Sequence, residues 1–453
     1  MAEHAKKNQP RTMNAWAFYD WANSVYPLVI TSTIFPIFYD EVTKTDSTDI
    51  VWLFGFSFKN TVIYSYTLSV SFLFIGCLLP FLSGIADYGG HKKRFMKFFV
   101  YLGATGCSAL FFFTGENLFF GLACFATATI GFTGSLVFYN AYLPEIATPD
   151  RFDRLSARGY MMGYIGSVVL LLFNLSMILF PDFYGVTKGF ASRFSFLLVG
   201  FWWAGFAQIT FANLPDSVPA GPSTKRIVRK GLDELRRVVY SLHRLPRLSL
   251  FLTSFFFYSM GVQTVMYMAT LFGSKELKLE TESLIITILI IQIVAILGAF
   301  LFSRASEKFG NINALTVAII IWIGVCIGAY FTYTEYHFYG LAFVVGMVMG
   351  GIQSLSRSTY SKLLPPSRDN ASYFSFYEIS EKIAIVVGTA SYGLIEDITG
   401  SMRNSVFTLG GFFLLGLFSL LLVGNKKLLQ PQEPDEAEPQ PDILDSSLLR
   451  KED

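Results

Sequence analysis

The feature that most constrains this chain is a series of twelve apolar runs, each of the roughly 20 residues that a helix needs to cross a bilayer. They lie near 15–39, 61–86, 95–115, 117–143, 159–180, 191–214, 247–273, 281–303, 312–333, 337–364, 374–398 and 403–424. In hydrocarbon every backbone N–H and C=O must find a partner within the protein, so runs of this length fold as helices. Composition agrees. The chain is 53% hydrophobic and 15% charged, with 47 Phe, where a soluble domain carries roughly 25% charge. The expected fold is an all-α membrane protein of twelve transmembrane helices.

The basic residues orient these spans. One set of alternate loops holds only Lys44, Lys59, Lys188, Arg193, Lys275, Lys278 and Arg403. Arg357 and Lys382 lie within spans, and the other 26 of the 35 Lys and Arg fall in the opposite set, which includes both termini. Both termini are therefore expected to be cytoplasmic. The N-terminal stretch has no apolar region ending in a small-residue cleavage site, so no cleaved signal is expected.

The residues divide into a tail (1–14), a first group of six spans (15–214), a linker (215–246), a second group of six (247–424) and a second tail (425–453). The linker opens "LPDSVPAGPS" and continues with Ile227, Leu232, Leu235, Val238 and Val239 at helical spacing. This pattern fits an amphipathic helix on the cytoplasmic membrane surface with its basic face toward headgroups, or a plain solvated linker helix. The final tail, "QPQEPDEAEPQPD", is rich in proline and acid and is expected to be disordered.

The two groups of six repeat each other. "FLSGIADYGGHKKR" at Phe81–Arg94 is echoed by "LFSRASEKFGNI" at Leu301–Ile312, with Ser83, Asp87 and Gly90 matched 220 positions later by Ser303, Glu307 and Gly310. "FFGLACF" at Phe119 and "AYLPE" around Pro144 have counterparts near Phe338 and Pro365. Parallel six-span repeats are the arrangement of the major facilitator superfamily, and the acid–Gly–base turn is similar to that superfamily's loop between the second and third spans of each half. The resemblance implies two pseudo-symmetric six-helix halves. It also implies a cytoplasmic gate that includes Asp87, Gly90, Lys92 and Lys93, and more weakly Glu307, Lys308 and Gly310. Glycine permits the tight reversal. The acid can accept from the N-terminus of a neighbouring helix and pair with nearby bases.

Three further stretches carry a closer resemblance: "WAFYDWANSVYP" in the first span, "YLPEIATPDRFDRLSARGYMMGYIG" before the fifth, and "GGIQSLSRSTYSKLLP" in the tenth. Over about residues 15–424 the chain resembles the facilitator group that includes the autophagy-related vacuolar amino-acid effluxers and their bacterial relatives. That resemblance implies alternating-access transport of a small organic solute, amino acids in efflux. A drug or sugar facilitator is the alternative. The membrane would be the inner membrane of a bacterial cell or the vacuolar membrane of a fungal one. Two positions depart from the group's pattern: Met260 stands where a seventh-span acid is usual, and Glu381 where glycine is.

Ionisable groups inside spans mark candidate sites, because each is costly unless paired or hydrated. Trp16, Asp20, Asn23 and Pro27 form one stripe of the first span, flanked by Tyr19 and Tyr26. Asp20 is the expected proton carrier of a cavity-lining span, unless it only completes a local hydrogen-bond network. The tenth span sets Gly346, Gly350, Ser354, Arg357 and Ser361 on one face, with Arg357 about 10 Å from the cytoplasmic end at 1.5 Å per residue. Two roles are open for Arg357: anchoring a solute carboxylate, or closing a gate against Glu381. Its shallow depth favours the gate. Glu378 and Lys382 are i, i+4 neighbours that pair, and they join Glu381 in the gate. Asn140 and Gln263 are the preferred cavity amides, with Asn174, Gln208, Gln292 and Gln353 read as interhelical bonds. Tyr139, Tyr258 and Tyr267 supply aromatic walls.

Other classes are disfavoured. The spans hold no Ser/His or His/Glu constellation of catalytic spacing, which argues against an intramembrane enzyme. No large extramembrane region supports a receptor. Cys77, Cys107, Cys124 and Cys326 lie in apolar runs and read as packing residues. No metal, cofactor or nucleic-acid partner is expected. The expected partners are a small solute, protons and the bilayer, with the chain a monomer.

Overall fold

Pro27 lacks the N–H that an α-helix would use in its next turn, and the first helix changes character there. Pro10–Asn23 is α-helical, Tyr26–Ile34 is π-helical, and Phe35–Thr43 resumes the α form. The computed structural model describes residues 7–44, 50–53, 55–216, 236, 238–242, 244–367 and 369–424. After this composite first helix come Asn60–Gly89, Lys92–Ala109, Leu118–Ala141, Phe152–Leu179 and Lys188–Asn213 as the second to sixth. Pro246–Leu271, Thr281–Phe309, Asn311–Tyr330, Glu335–Leu363, Asn370–Thr399 and Met402–Gly424 are the seventh to twelfth. A two-stranded antiparallel hairpin, β1 (Ile50–Leu53) and β2 (Phe56–Lys59), caps the connection between the first two helices. The hydropathy pattern does not announce it.

Ten of the twelve helices are long and apolar enough to cross a membrane by composition alone. The first and eleventh fall short, one because of its break and polar stripe, the other because it carries Glu378, Glu381 and Lys382 within a serine-rich stretch. These two enter the bundle because their neighbours bury them.

Glycine permits a close crossing of the eighth and tenth helices. A Cβ at Gly346 would stand 2.6 Å from the Ile291 carbonyl oxygen, and one at Gly298 would fall on the Met347 carbonyl. The eighth and tenth helices thus approach backbone to backbone, as small-residue stripes allow in membranes. Exposed apolar side chains such as Phe201, Ile293 and Phe418 stud the outer wall, a surface suited to acyl chains and too extensive for a soluble monomer. Cys77 is exposed, while Cys107, Cys124 and Cys326 are buried. The first therefore does not pack inside the bundle, contrary to its reading from sequence.

Of the linker, 238–242 is helical, with Val238 buried and Tyr240 exposed. Ile227, Leu232 and Leu235 lie outside the described residues, as does the acidic tail from 425 onward.

Candidate functional site

Arg357 of the tenth helix is held by three helices of the other half. Its Nη1 and Nη2 each donate to Asp20 Oδ2 at 3.1 Å. Nε donates to Ser156 Oγ at 2.9 Å, Nη2 to the Ser156 carbonyl at 2.8 Å, and Nη1 to Asn140 Oδ1 at 3.4 Å. All five N–H donors of the guanidinium are thereby used. Rings close around the cation, with its Cζ 4.8, 5.4 and 4.2 Å from the centroids of Trp16, Tyr139 and Tyr160. Such contacts gain strength when desolvated, and Arg357 is only 2% exposed. The Tyr139 hydroxyl donates to the same Asp20 oxygen at 2.9 Å, and Trp16 stacks on Tyr139 at 4.5 Å. Gly159 of the fifth helix leaves the space this bridge needs, since a Cβ there would fall on Asp20 Oδ2 and stand 2.8 Å from Arg357 Nη2.

Glu381 does not meet Arg357, a correction to the pairing expected from sequence. It bonds Lys382 Nζ at 2.6 Å and accepts from Gln263 Nε2 at 2.8 Å. Lys382 also lies 3.6 Å from Glu378, and Glu378 Oε1 accepts from Asn140 Nδ2 at 2.9 Å. The helical angle explains the difference. Residue 381 is turned toward the seventh helix, while the first helix presents Asp20 directly to the guanidinium. Asn140 therefore touches both assemblies, accepting from Arg357 on one side and donating to Glu378 on the other.

Nearer the helix ends that carry the basic loops, buried acids on each side join the halves, beside the more exposed Arg154–Glu307 pair. Asp87, at the C-terminal end of the second helix, accepts from the backbone N–H groups of Ala371 and Ser372 at 3.2 and 2.8 Å and from Ser372 Oγ at 2.8 Å. These donors belong to the first turn of the eleventh helix, where free N–H groups and the helix dipole favour a carboxylate. Lys92 lies 3.0 Å from Asp87 and also pairs with Glu145. Gly90 makes the reversal in the left-handed conformation, φ 66°. On the pseudo-symmetric side the polarity is exchanged. Asp153, at the start of the fifth helix, accepts from Ser306 Oγ at 3.0 Å, Asn311 Nδ2 at 2.8 Å and Lys362 Nζ at 2.6 Å. Here the acid sits on the receiving helix and the eighth–ninth turn supplies donors.

The sequence candidates thus separate. Asp20, Asn140, Arg357, Glu378, Glu381, Lys382 and Gln263 form one connected path, and Asp87, Gly90 and Lys92 belong to the contact between the second and eleventh helices. Glu307 pairs with Arg154 at the rim, with Nη2 at 2.7 Å. Lys93 reaches the Leu214 carbonyl in its own half and Asp216 at the start of the linker. Lys308 packs over Phe309, and Gly310 joins the eighth and ninth helices. Asn23 is buried in the first helix, Tyr26 bonds Thr129 at 2.8 Å inside its own half, and Tyr258 bonds Ser356 at 2.7 Å. Tyr267 lies within electrostatic reach of Lys382 and Glu381.

Sequence reading missed Ser156, Tyr160, Glu145, Asp153 and Lys362. The stretch "PDRFDRLSARG" offered a signal, an acid at a helix start beside a serine one turn in. Among the described residues no His, Cys, Asp and Glu group could hold a metal ion.

Comparison with known proteins gives a consistent result. The family model described as "Vacuole effluxer Atg22 like" matches residues 8–432. The chain is 33% identical over 414 residues to the MFS-type transporter YxiO of Bacillus subtilis, covering 90% of this chain and 94% of that protein. It is 28% identical over 271 residues to autophagy-related protein 22 of Cryptococcus neoformans, covering 55% of this chain and 47% of that protein. Among solved structures, the human organic anion transporter MFSD10 superposes with a TM-score of 0.70 over 92% of this chain at 12% identity.

Proposed function

Since the chain belongs to the Atg22-like family of major facilitator transporters, a multi-pass membrane protein, we propose that it is a secondary active transporter effluxing amino acids by alternating access. The observation that supports this reading is the Asp20–Arg357 bridge, which joins the halves across the bundle. A solute carboxylate offers a guanidinium the same acceptor chemistry as Asp20, and bidentate geometry would favour it. Solute binding then competes with the bridge, and loss of the bridge together with the Asp87 and Asp153 latches opens the end they close. The amino group would meet Asp20 or the Glu378–Glu381 pair. In a bacterial cell we place the protein in the cell membrane as a monomer, with both termini cytoplasmic.

The test is flux in proteoliposomes of purified protein, with radiolabelled amino acids and sugars, with and without a pH gradient. The expected result is amino-acid movement that a pH gradient enhances and that Arg357→Lys suppresses, because ammonium lacks the planar fork. Sugar flux without amino-acid flux would overturn the reading.

A further inference from the structure

The connected path through the bundle holds three carboxylates, Asp20, Glu378 and Glu381, against two cations, Arg357 and Lys382. Buried charge that lacks a partner is costly in a membrane bundle, so the surplus carboxylate needs an explanation. Asp20 is matched by Arg357 and further stabilised by Tyr139. Glu381 is matched by Lys382 and Gln263. Glu378 is the remainder. Its Oε1 accepts from Asn140, but its Oε2 is buried with no hydrogen-bond partner, and the nearest cation, Lys382, stands at 3.6 Å and already holds Glu381.

Among the described residues, no cation other than Lys382 pairs with Glu378. Asn140 faces Glu378 from the fourth helix, Tyr160 from the fifth, and Tyr258 and Tyr267 face the cluster from the seventh, while Tyr377 lies on the same helix. The second helix presents the Phe72 ring to Lys382, and its acid, Asp87, is engaged in the latch. The charged residue of the twelfth helix, Arg403, is at the far end with Glu276.

We propose that Glu378 is the binding site of a coupling proton, and that Asn140 ties its occupancy to the Asp20–Arg357 bridge. With the proton on Glu378, each remaining carboxylate has one cation, and an unbonded neutral hydroxyl costs less than an unbonded anionic oxygen. A metal cation is a poor alternative because the Lys382 ammonium stands between the carboxylates. The proton arrives from bulk water past Glu381, whose side chain is 19% exposed, and returns to water when Glu378 ionises. Asn140 holds Arg357 with its oxygen and Glu378 with its nitrogen. Opening the bridge therefore releases Glu378 as well, and hydration of the opened path favours its ionisation. This inference rests on the transporter reading and assigns the proton to the eleventh helix rather than to Asp20.

Infrared difference spectroscopy on the full chain in lipid nanodiscs tests it without any solute. The expected result is a band from a buried protonated carboxyl near neutral pH that Glu378→Gln abolishes, Glu378→Asp shifts in frequency, and Glu381→Asp leaves in place. The Asp variant keeps the test valid if the Gln variant fails to fold. Absence of the band, or a frequency that follows Glu381→Asp instead, would overturn the assignment. So would loss of the band when NaCl replaces KCl, which would identify a sodium site. A missing band in protein that still moves amino acids would count against this inference alone. A Glu378 band in protein without amino-acid flux would count against the substrate reading alone.

Discussion

Arg357 and Asp20, separated by 337 positions in sequence, meet at 3.1 Å in the interior of the bundle, one from each six-helix half. Neither has solvent to fall back on. The ion pair is therefore a mutual dependence more than a source of net stability, since desolvation offsets much of the attraction between buried charges.

Removing one partner should expose that dependence. Arg357→Ala and Asp20→Ala are each expected to destabilise the protein by about 3–5 kcal/mol, because each leaves a buried charge alone. The double variant should lose clearly less than the sum of the two. Thermal unfolding in detergent, run as a double-mutant cycle, measures the coupling. Additive losses would show that the pair does not act as a unit.

Gly159→Ala should disturb the same bridge from the fifth helix. The added methyl falls on Asp20 Oδ2, and overpacking of this kind costs about 1–3 kcal/mol. Gly189→Ala is the control, since nothing lies within 4 Å of a Cβ there. Equal melting temperatures for the two variants would contradict the packing argument.

Asp87→Asn should loosen the latch on the eleventh helix. Hydrogen bonds to a charged group contribute about 1.5–3 kcal/mol, so the open population is expected to rise roughly tenfold or more, at 1.4 kcal/mol per decade. A cysteine at Ser361, buried on the tenth helix, reports this through its rate of labelling by an impermeant maleimide in a background without the native cysteines. An unchanged rate would count against the latch.

The second latch should respond unequally to its two charged members. Lys362 is 28% exposed in its side chain, whereas Asp153 is buried. Lys362→Met removes the cation but leaves the buried Asp153 with its Ser306 and Asn311 donors, so its cost is expected to be the smaller of the two. Asp153→Ala should cost more, because it leaves the Ser306 and Asn311 donors without their acceptor. Thermal unfolding of the two variants side by side gives the comparison, and a larger loss for Lys362→Met would reverse the assignment.

Span length, the repeat at 220 positions and the intramembrane charges are local or periodic properties, and they were enough to read the twelve-helix fold, while the acid–Gly–base turn and motifs such as "WAFYDWANSVYP" carried the resemblance to the superfamily. It also marked Asp20, Asn140, Arg357 and Glu378 as unusual, because an ionisable group or amide in an apolar run is visible without knowing its partner. Partnership was a different matter. Glu381 looked like the natural mate of Arg357, yet the guanidinium found Asp20 and Ser156, and the glutamate found Lys382 and Gln263. A helical wheel gives the direction of a side chain relative to its own axis. Which neighbouring helix stands in that direction, and at what height, depends on crossings such as those at Gly159 and Gly346. Those crossings are set by packing between segments far apart in sequence, Gly346 against Ile291 and Gly159 against Asp20 and Arg357, so tertiary packing fixes which charges neutralise one another and which carboxylate is left over.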